Sequence, residues 1–270
     1  MVAAEAMPLS WPERYSQLLV ESGLDFTEVL EESVQSPNLE QPALFSLSQC
    51  LAKPELLRSQ LRKDYPDTED PRQLRAALSV VHQDLALSVI SPLVIRLFLR
   101  GEAPLPDPGR IFLAAAGEPS ATSRWFHASH GDMIGVEAFI SRIAAIVNDW
   151  YPVFRQDLGV SPGAYWSSVG LALGAPFAAV WNRANPEDLC TLASEWLERF
   201  RCEANRYVNW IPSEFNGDTC ALPQRKGCCL KYLRPGGGYC GTCGIYRKER
   251  LSALRQSSRC QPPGQWQPQE

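Results

Sequence analysis

The chain reads as an α+β protein: a predominantly helical body, a small antiparallel sheet near 110–130, and a C-terminal module rich in cysteine and glycine. Three observations carry that reading. Apolar residues recur at helical spacing through most of residues 11–202. Two short β-prone runs interrupt them around a turn. Beyond about 206 the regular periodicity fades while glycine and cysteine rise. With 270 residues, 45% of them apolar and 21% charged, there is material for one large domain or two modest ones with a real core.

Ser10 is placed to cap a helix from about Pro12 to Ser22, with Tyr15, Leu18 and Leu19 on one face. A second helix is expected over Phe26 to Val34, a third from near Pro42, and a fourth from Pro54 to near Lys63. Asp70-Pro71 opens a long helix that ends near Arg100, with Leu74, Leu78, Val81, Leu85 and Val89 on its stripe and Pro92 expected to kink it. The proline-rich connector GEAPLPDPGR, 101–110, follows. Ile111–Ala115 and Ser123–His127 read as strands around the turn GEPS. Helices are then expected at about 134–155, 162–181 and 186–202, the last two announced by Ser161-Pro162 and Asn185-Pro186. A short basic helix, Tyr246 to Arg255, is expected after the cysteines, then a disordered tail. This divides the chain into a body at 1–205, a cysteine module at 206–258 and a tail at 259–270.

A formal net charge of −4 does not suggest a general nucleic-acid binder. The opening MVAAEAMPLSW lacks a basic n-region and a long apolar core, so no secretory signal is read and the expected compartment is the cytosol. The apolar run VGLALGAPFAAVW, 169–181, is too short to span a bilayer and reads as a buried helix. No membrane-spanning segment is expected, while a peripheral position at the inner membrane stays compatible with the sequence.

Nine cysteines, an odd number, argue against a disulfide framework, and four of them lie between 228 and 243. That segment reads RKGCCLKYLRPGGGYCGTC, a C-C-x10-C-x2-C pattern of Cys228, Cys229, Cys240 and Cys243. Four thiolates are the usual protein ligands of a [2Fe–2S] cluster. The Cys240–Cys243 turn is short enough to bring two sulfurs together, and Pro235-Gly-Gly-Gly lets the chain double back to carry the other two there. Structural zinc is the nearest alternative, but its sites usually draw ligands from two C-x2-4-C knuckles, which adjacent Cys228-Cys229 does not make. Redox-active thiols without metal are a third reading.

The run CCLKYLRPGGGYCGTC resembles the C-terminal signature of the FhuF-type ferric siderophore reductases, most closely over about 225–246. The chain departs from it at Gly244, where that family commonly has proline. The resemblance implies one [2Fe–2S] cluster per chain on the four cysteines. It also implies one-electron reduction of ferric siderophore in the cytoplasm with release of Fe(II), since hard oxygen donors hold Fe(III) far better than Fe(II). No nicotinamide, flavin or phosphate-loop fingerprint is found, so electrons are expected from a separate ferredoxin, reductase or small reductant. A non-enzymatic electron carrier, or a zinc or iron–sulfur sensor or structural protein, remains as an alternative.

Residues 225–259 carry nine Lys/Arg and one acid, a +8 segment in an acidic chain. Arg225, Lys226, Lys231, Arg234, Arg247 and Lys248 are therefore candidates for docking an acidic donor or anionic substrate, or for raising the cluster's potential. The bland reading is a solvated basic face. His127 and His130 read as a polar loop pair, His82 as a packed helix residue, and Trp125, Trp150, Trp166 and Trp181 as core rather than cavity lining. Tyr232 and Tyr239 read equally as shields of the cluster against water and as surface packing. Cys220 reads as a thiol outside the ligand set, Cys50, Cys190 and Cys202 as buried hydrophobes, and Cys260 as part of the tail.

Overall fold

A computed structural model describes residues 9–32, 42–66, 70–115, 123–128, 131–215, 218–234 and 237–246. The GEPS turn, His130, Cys260, the tail and nearly all of the expected basic helix lie outside these residues.

Helix α1, Trp11–Glu21, starts where Ser10 and Glu13 form a capping box. The Glu13 carboxylate accepts from the Ser10 N–H at 2.7 Å and from its hydroxyl at 2.8 Å. Its inner face buries Tyr15, Leu18 and Leu19. Helix α2 covers Phe26–Glu32. The third helix expected from Pro42 is instead a strand, β1 (Ala43–Ser46), followed by α3 (Leu47–Ala52). Ser46 ends the strand and caps the helix: its Oγ accepts from the Gln49 N–H at 3.2 Å. Helix α4 is Glu55–Asp64.

The long helix divides into α5 (Pro71–Leu85) and α6 (Ser91–Arg100), separated by a π turn over Ala86–Ile90. Pro92 has no N–H to donate and its ring crowds the preceding turn, so widening that turn by a residue accommodates it. Gly101, at φ 72°, closes α6 in the left-handed conformation that glycine adopts without penalty. Pro71–Arg100 is long and apolar enough to cross a membrane by length and composition, and 61% of its most apolar window is buried inside the molecule, as in a core helix.

Strand β2 is Glu102–Ala103, β3 is Ile111–Ala114, β4 is Arg124–His127 and β5 is Ile134–Gly135. The two expected strands thus form, and β1 joins them in an antiparallel sheet ordered β1-β3-β4. Half-buried Asp84 of α5 pins this sheet by accepting from the Trp125 N–H at 2.8 Å and the Arg124 Nε at 3.2 Å. β2 and β5 form a separate two-stranded ribbon.

Helix α7 (Val136–Pro152) runs into a second π turn, Val153–Asp157. Helix α8 is Pro162–Leu173, α9 Ala175–Ala178, α10 Pro186–Glu198 and α11 Ala204–Tyr207. The single helix expected over 162–181 breaks at Gly174, where a side chain would press on the Trp210 ring at 3.1 Å. Caps at Ser161 and Asn185 lie where the sequence places them. The loss of periodicity expected after 206 is overturned. β6 (Val208–Phe215) and β7 (Asp218–Arg225) form an antiparallel hairpin paired from Val208↔Arg225 to Phe215↔Asp218. Val208, Trp210 and Ala221 of this hairpin belong to the same hydrophobic core as the helices. That core also takes in Trp125, Trp150 and Trp166, while Trp181 is half-buried.

Helix α8 lies at the centre, buried on nearly every side. Its small residues permit close approach, as at Gly170, where a side chain would meet Val208 Cγ2 at 2.8 Å. Beside it His82 is fully buried, stacked on Tyr165 at 4.2 Å and edge-on to Phe154 at 4.8 Å. Burial, helped by the charge of Arg225, lowers its pKa to about 3 from 6.5. The neutral ring is the folded form. Stability is unaffected above pH 6.5 and declines below it, as the unfolded chain takes up a proton that the fold refuses until about pH 3. Relative to His82→Phe, the wild type should lose about 2 kcal/mol by pH 5. Urea unfolding of both proteins at pH 7 and pH 5 measures this; parallel losses would refute it.

Candidate metal centre

The cysteine segment leaves the end of β7 and is clamped at once. Gly227 lies against the N-terminal turn of α8 so closely that a Cβ on it would stand 2.1 Å from the Gly163 carbonyl carbon and oxygen. Cys228 and Cys229 follow. Leu230 then adopts φ 61°, the one non-glycine left-handed residue among those described. This conformation, which costs about 1 kcal/mol or more, aims its N–H at Cys228 Sγ, 3.3 Å away. A 3-10 turn over Lys231–Leu233 reverses the chain. Gly237 packs on it where a side chain would strike the Lys231 carbonyl oxygen at 2.0 Å.

The second pair of cysteines sits on a tight turn, with the Cys243 N–H donating to the Cys240 carbonyl at 3.0 Å. This turn is stitched to the end of β7 by the Arg225 N–H donating to the Thr242 carbonyl at 2.8 Å and by a parallel bridge between Arg225 and Cys243. At Gly244 a Cβ would stand 2.1 Å from the Arg225 carbonyl oxygen, which accounts for glycine where proline is common in the resembling family. The Tyr246 N–H points at Cys243 Sγ from 3.4 Å.

The fold therefore gathers all four thiols. Cys229 and Cys243 are buried, and Cys228 and Cys240 are half-buried. The Cys240 thiol donates to both Cys229 and Cys243, which brings Cys229 down to about 6 and Cys243 to about 5 and pushes Cys240 itself far up. Burial raises Cys228. Among the described residues no group of three or more His, Cys, Asp or Glu side chains is arranged to hold a metal ion. The four sulfurs stand as a neighbourhood rather than as a closed cage around one ion.

The candidate cations separate sharply. Lys226 is exposed, while Lys231 and Arg234 are half-buried. Arg234 lies over the Tyr65 ring, 4.7 Å from its centroid, and hydrogen-bonds the Tyr65 hydroxyl. Arg247 and Lys248 lie outside the described residues. Arg225 corrects the docking expectation, because its side chain is fully buried and cannot meet a partner. Its Nε donates to Ser167 Oγ at 2.9 Å, and one Nη donates to Ser168 Oγ at 3.0 Å and the Ala164 carbonyl at 3.3 Å. The other Nη donates to Gln83 Oε1. Among the described residues no carboxylate pairs with it.

Tyr232, Tyr239 and Tyr246 pack together beside the loop, ring centroids 4.9 to 5.3 Å apart. Of the other candidates, His127 ends β4 half-buried, and burial lowers its pKa to about 4. Cys220 lies on β7 near Cys190. Cys50 and Cys190 are buried in α3 and α10; Cys202 is half-buried beyond the end of α10.

The site defines a class first: a cysteine-rich module built on the end of a hairpin and clamped to a helical body. Comparison then specifies it. The family model of the FhuF 2Fe–2S C-terminal domain matches residues 225–243, a short stretch that opens on Arg225, closes on Cys243 and contains all four cysteines. The match supports the resemblance to FhuF-type siderophore reductases and indicates [2Fe–2S] binding. No curated protein matches the chain.

The residues fit such a group. Four thiols are on hand as donors of the kind such a cluster takes. Backbone N–H groups already point at two of the sulfurs, as thiolates bound to iron require. The buried guanidinium has no carboxylate partner among the described side chains, and a four-thiolate [2Fe–2S] centre carries about −2 oxidised and about −3 reduced.

Proposed function

We propose that this chain is a cytoplasmic ferric siderophore reductase holding one [2Fe–2S] cluster on Cys228, Cys229, Cys240 and Cys243. The observation that carries the reading is the gathering of these four thiols in the stretch matched by the FhuF 2Fe–2S domain. When bound, the group supplies one electron at a time, and a ferric substrate accepting it becomes Fe(II), which oxygen-donor chelators hold weakly.

The chain's own residues supply the surroundings. Leu230 and Tyr246 N–H groups hydrogen-bond sulfur. Gly227, Gly237 and Gly244 let backbone pack where a side chain would clash. The half-buried Cys228 and Cys240 mark the edge nearest solvent, where substrate approaches closely enough for electron transfer. The tyrosine trio limits water on one flank. Lys226 and Lys231 offer positive charge to an anionic complex or acidic donor protein.

The test is anaerobic. Dithionite-reduced protein, freed of reductant, is mixed with a ferric trihydroxamate and a coloured Fe(II) chelator. The expected result is about one Fe(II) trapped per cluster, because the cluster cycles by one electron. A protein that contains iron and sulfide and reduces a redox protein but leaves the ferric chelate untouched is an electron carrier, and the reductase reading fails.

A further inference from the structure

A buried arginine held by four hydrogen bonds, with no carboxylate partner among the described residues, is an unusual expense in a protein interior. An isolated charge in such a place carries a desolvation penalty of several kcal/mol that neutral hydrogen-bond acceptors only partly offset. Arg225 has neutral acceptors alone: two serine hydroxyls and a carbonyl from α8, and an amide oxygen from α5. Its backbone, meanwhile, is bonded to the Cys240–Cys243 turn through Thr242 and bridges to Cys243. The charge is thus held in the helical core, on a residue whose backbone is joined to the cysteine turn.

We propose that Arg225 is the buried counter-charge of the cluster, a positioning residue that favours its more negative, reduced state from inside the body. This deepens the iron–sulfur reading and rests on it. One-electron reduction adds a negative charge beside a fixed cation in a region of low dielectric, which raises the potential. Cations at the surface are screened within a Debye length of about 8 Å at physiological salt; Arg225 is shielded from that screening by burial. Ser167, Ser168 and Gln83 fix the fork, and this gives the paired serines of α8 a role that core packing does not require.

The experiment is a mediated redox titration, followed by visible absorption and by EPR of the reduced form, on wild type, Arg225→Gln, Arg225→Lys and Lys226→Gln. Iron and sulfide are counted for each. Arg225→Gln is expected to lower the reduction equilibrium constant by threefold or more, approaching about tenfold, which is 59 mV for one electron. The shift should be the same in low and high salt. Arg225→Lys, which keeps the charge, should assemble the cluster and stay within about threefold of wild type. Lys226→Gln should move the potential less than Arg225→Gln does. Should Arg225→Gln fail to assemble, Arg225→Lys decides: assembly at the wild-type potential supports the charge role, and failure assigns Arg225 to scaffolding alone. The proposal is overturned by a shift below threefold in assembled Arg225→Gln, or by an equal shift in Lys226→Gln. Wild type free of iron and sulfide would instead remove the reading beneath it.

Discussion

Alanine in place of Cys228, Cys229, Cys240 or Cys243 should bring iron and sulfide to below about a tenth of the wild-type content, since three thiolates do not complete the ligand set of the cluster. The visible colour and the EPR signal of the reduced form should vanish together in all four variants. Cys190→Ala and Cys220→Ala should keep both, because these thiols lie on α10 and β7 near each other. The effect reaches beyond the site. Without the negative charge of the cluster, Arg225 stays buried with only neutral hydrogen-bond acceptors, so the four variants should also unfold at lower urea than wild type. One cysteine variant retaining full iron, sulfide and EPR signal would refute its assignment as a ligand.

The second large effect is expected at Gly227. A methyl group there would stand 2.1 Å from the carbonyl carbon and oxygen of Gly163, and 2.4 Å from its Cα. Both sides of the contact are backbone, so no side-chain rotation can relieve it. The cysteine segment must lift away from α8, at a cost of about 3 kcal/mol or more, the upper end for overpacking. Gly227→Ala should therefore lose most of its bound iron while the far-ultraviolet circular dichroism of the helical body persists. Gly238→Ala is the matched control, because a Cβ at Gly238 meets nothing within 4 Å. Equal iron content in the two variants would show that the backbone contact is dispensable.

The sequence revealed what depends on local chemistry. Ser10, Ser161 and Asn185 mark helix starts because a cap is a short-range device. The C-C-x10-C-x2-C spacing picks out the stretch that the family model matches, because such spacing is itself local. Features that depend on distant partners were hidden. β1 looked like the start of a helix because four residues beside a proline carry little periodicity, and only pairing with β3 makes them a strand. The β6–β7 hairpin was obscured by Pro212 and Pro223, which count against a strand inside a sheet but are tolerated in the edge strands of a two-stranded ribbon. The Asn216-Gly217 pair between its strands was the missed signal.

Arg225 shows the limit most clearly. In one dimension it opens a basic segment and reads as surface. In the fold its direction is set by β7, and its surroundings come from α5 and α8, far earlier in the chain. The small residues Gly163, Ser167 and Ser168 were the trace of that arrangement: a helix lined with them invites close neighbours, though nothing in their order says which.

The cradle of Arg225 has a consequence for biogenesis. Its hydrogen bonds join residues 58, 61 and 142 positions apart, and the Gly163–Gly227 contact is of the same long-range kind. Such contacts close only after the intervening helices have condensed, because loop-closure entropy opposes them until then. The nascent polypeptide is thus expected to present its sulfurs in their final arrangement only once the body stands, which would make any loading with iron a late step of maturation.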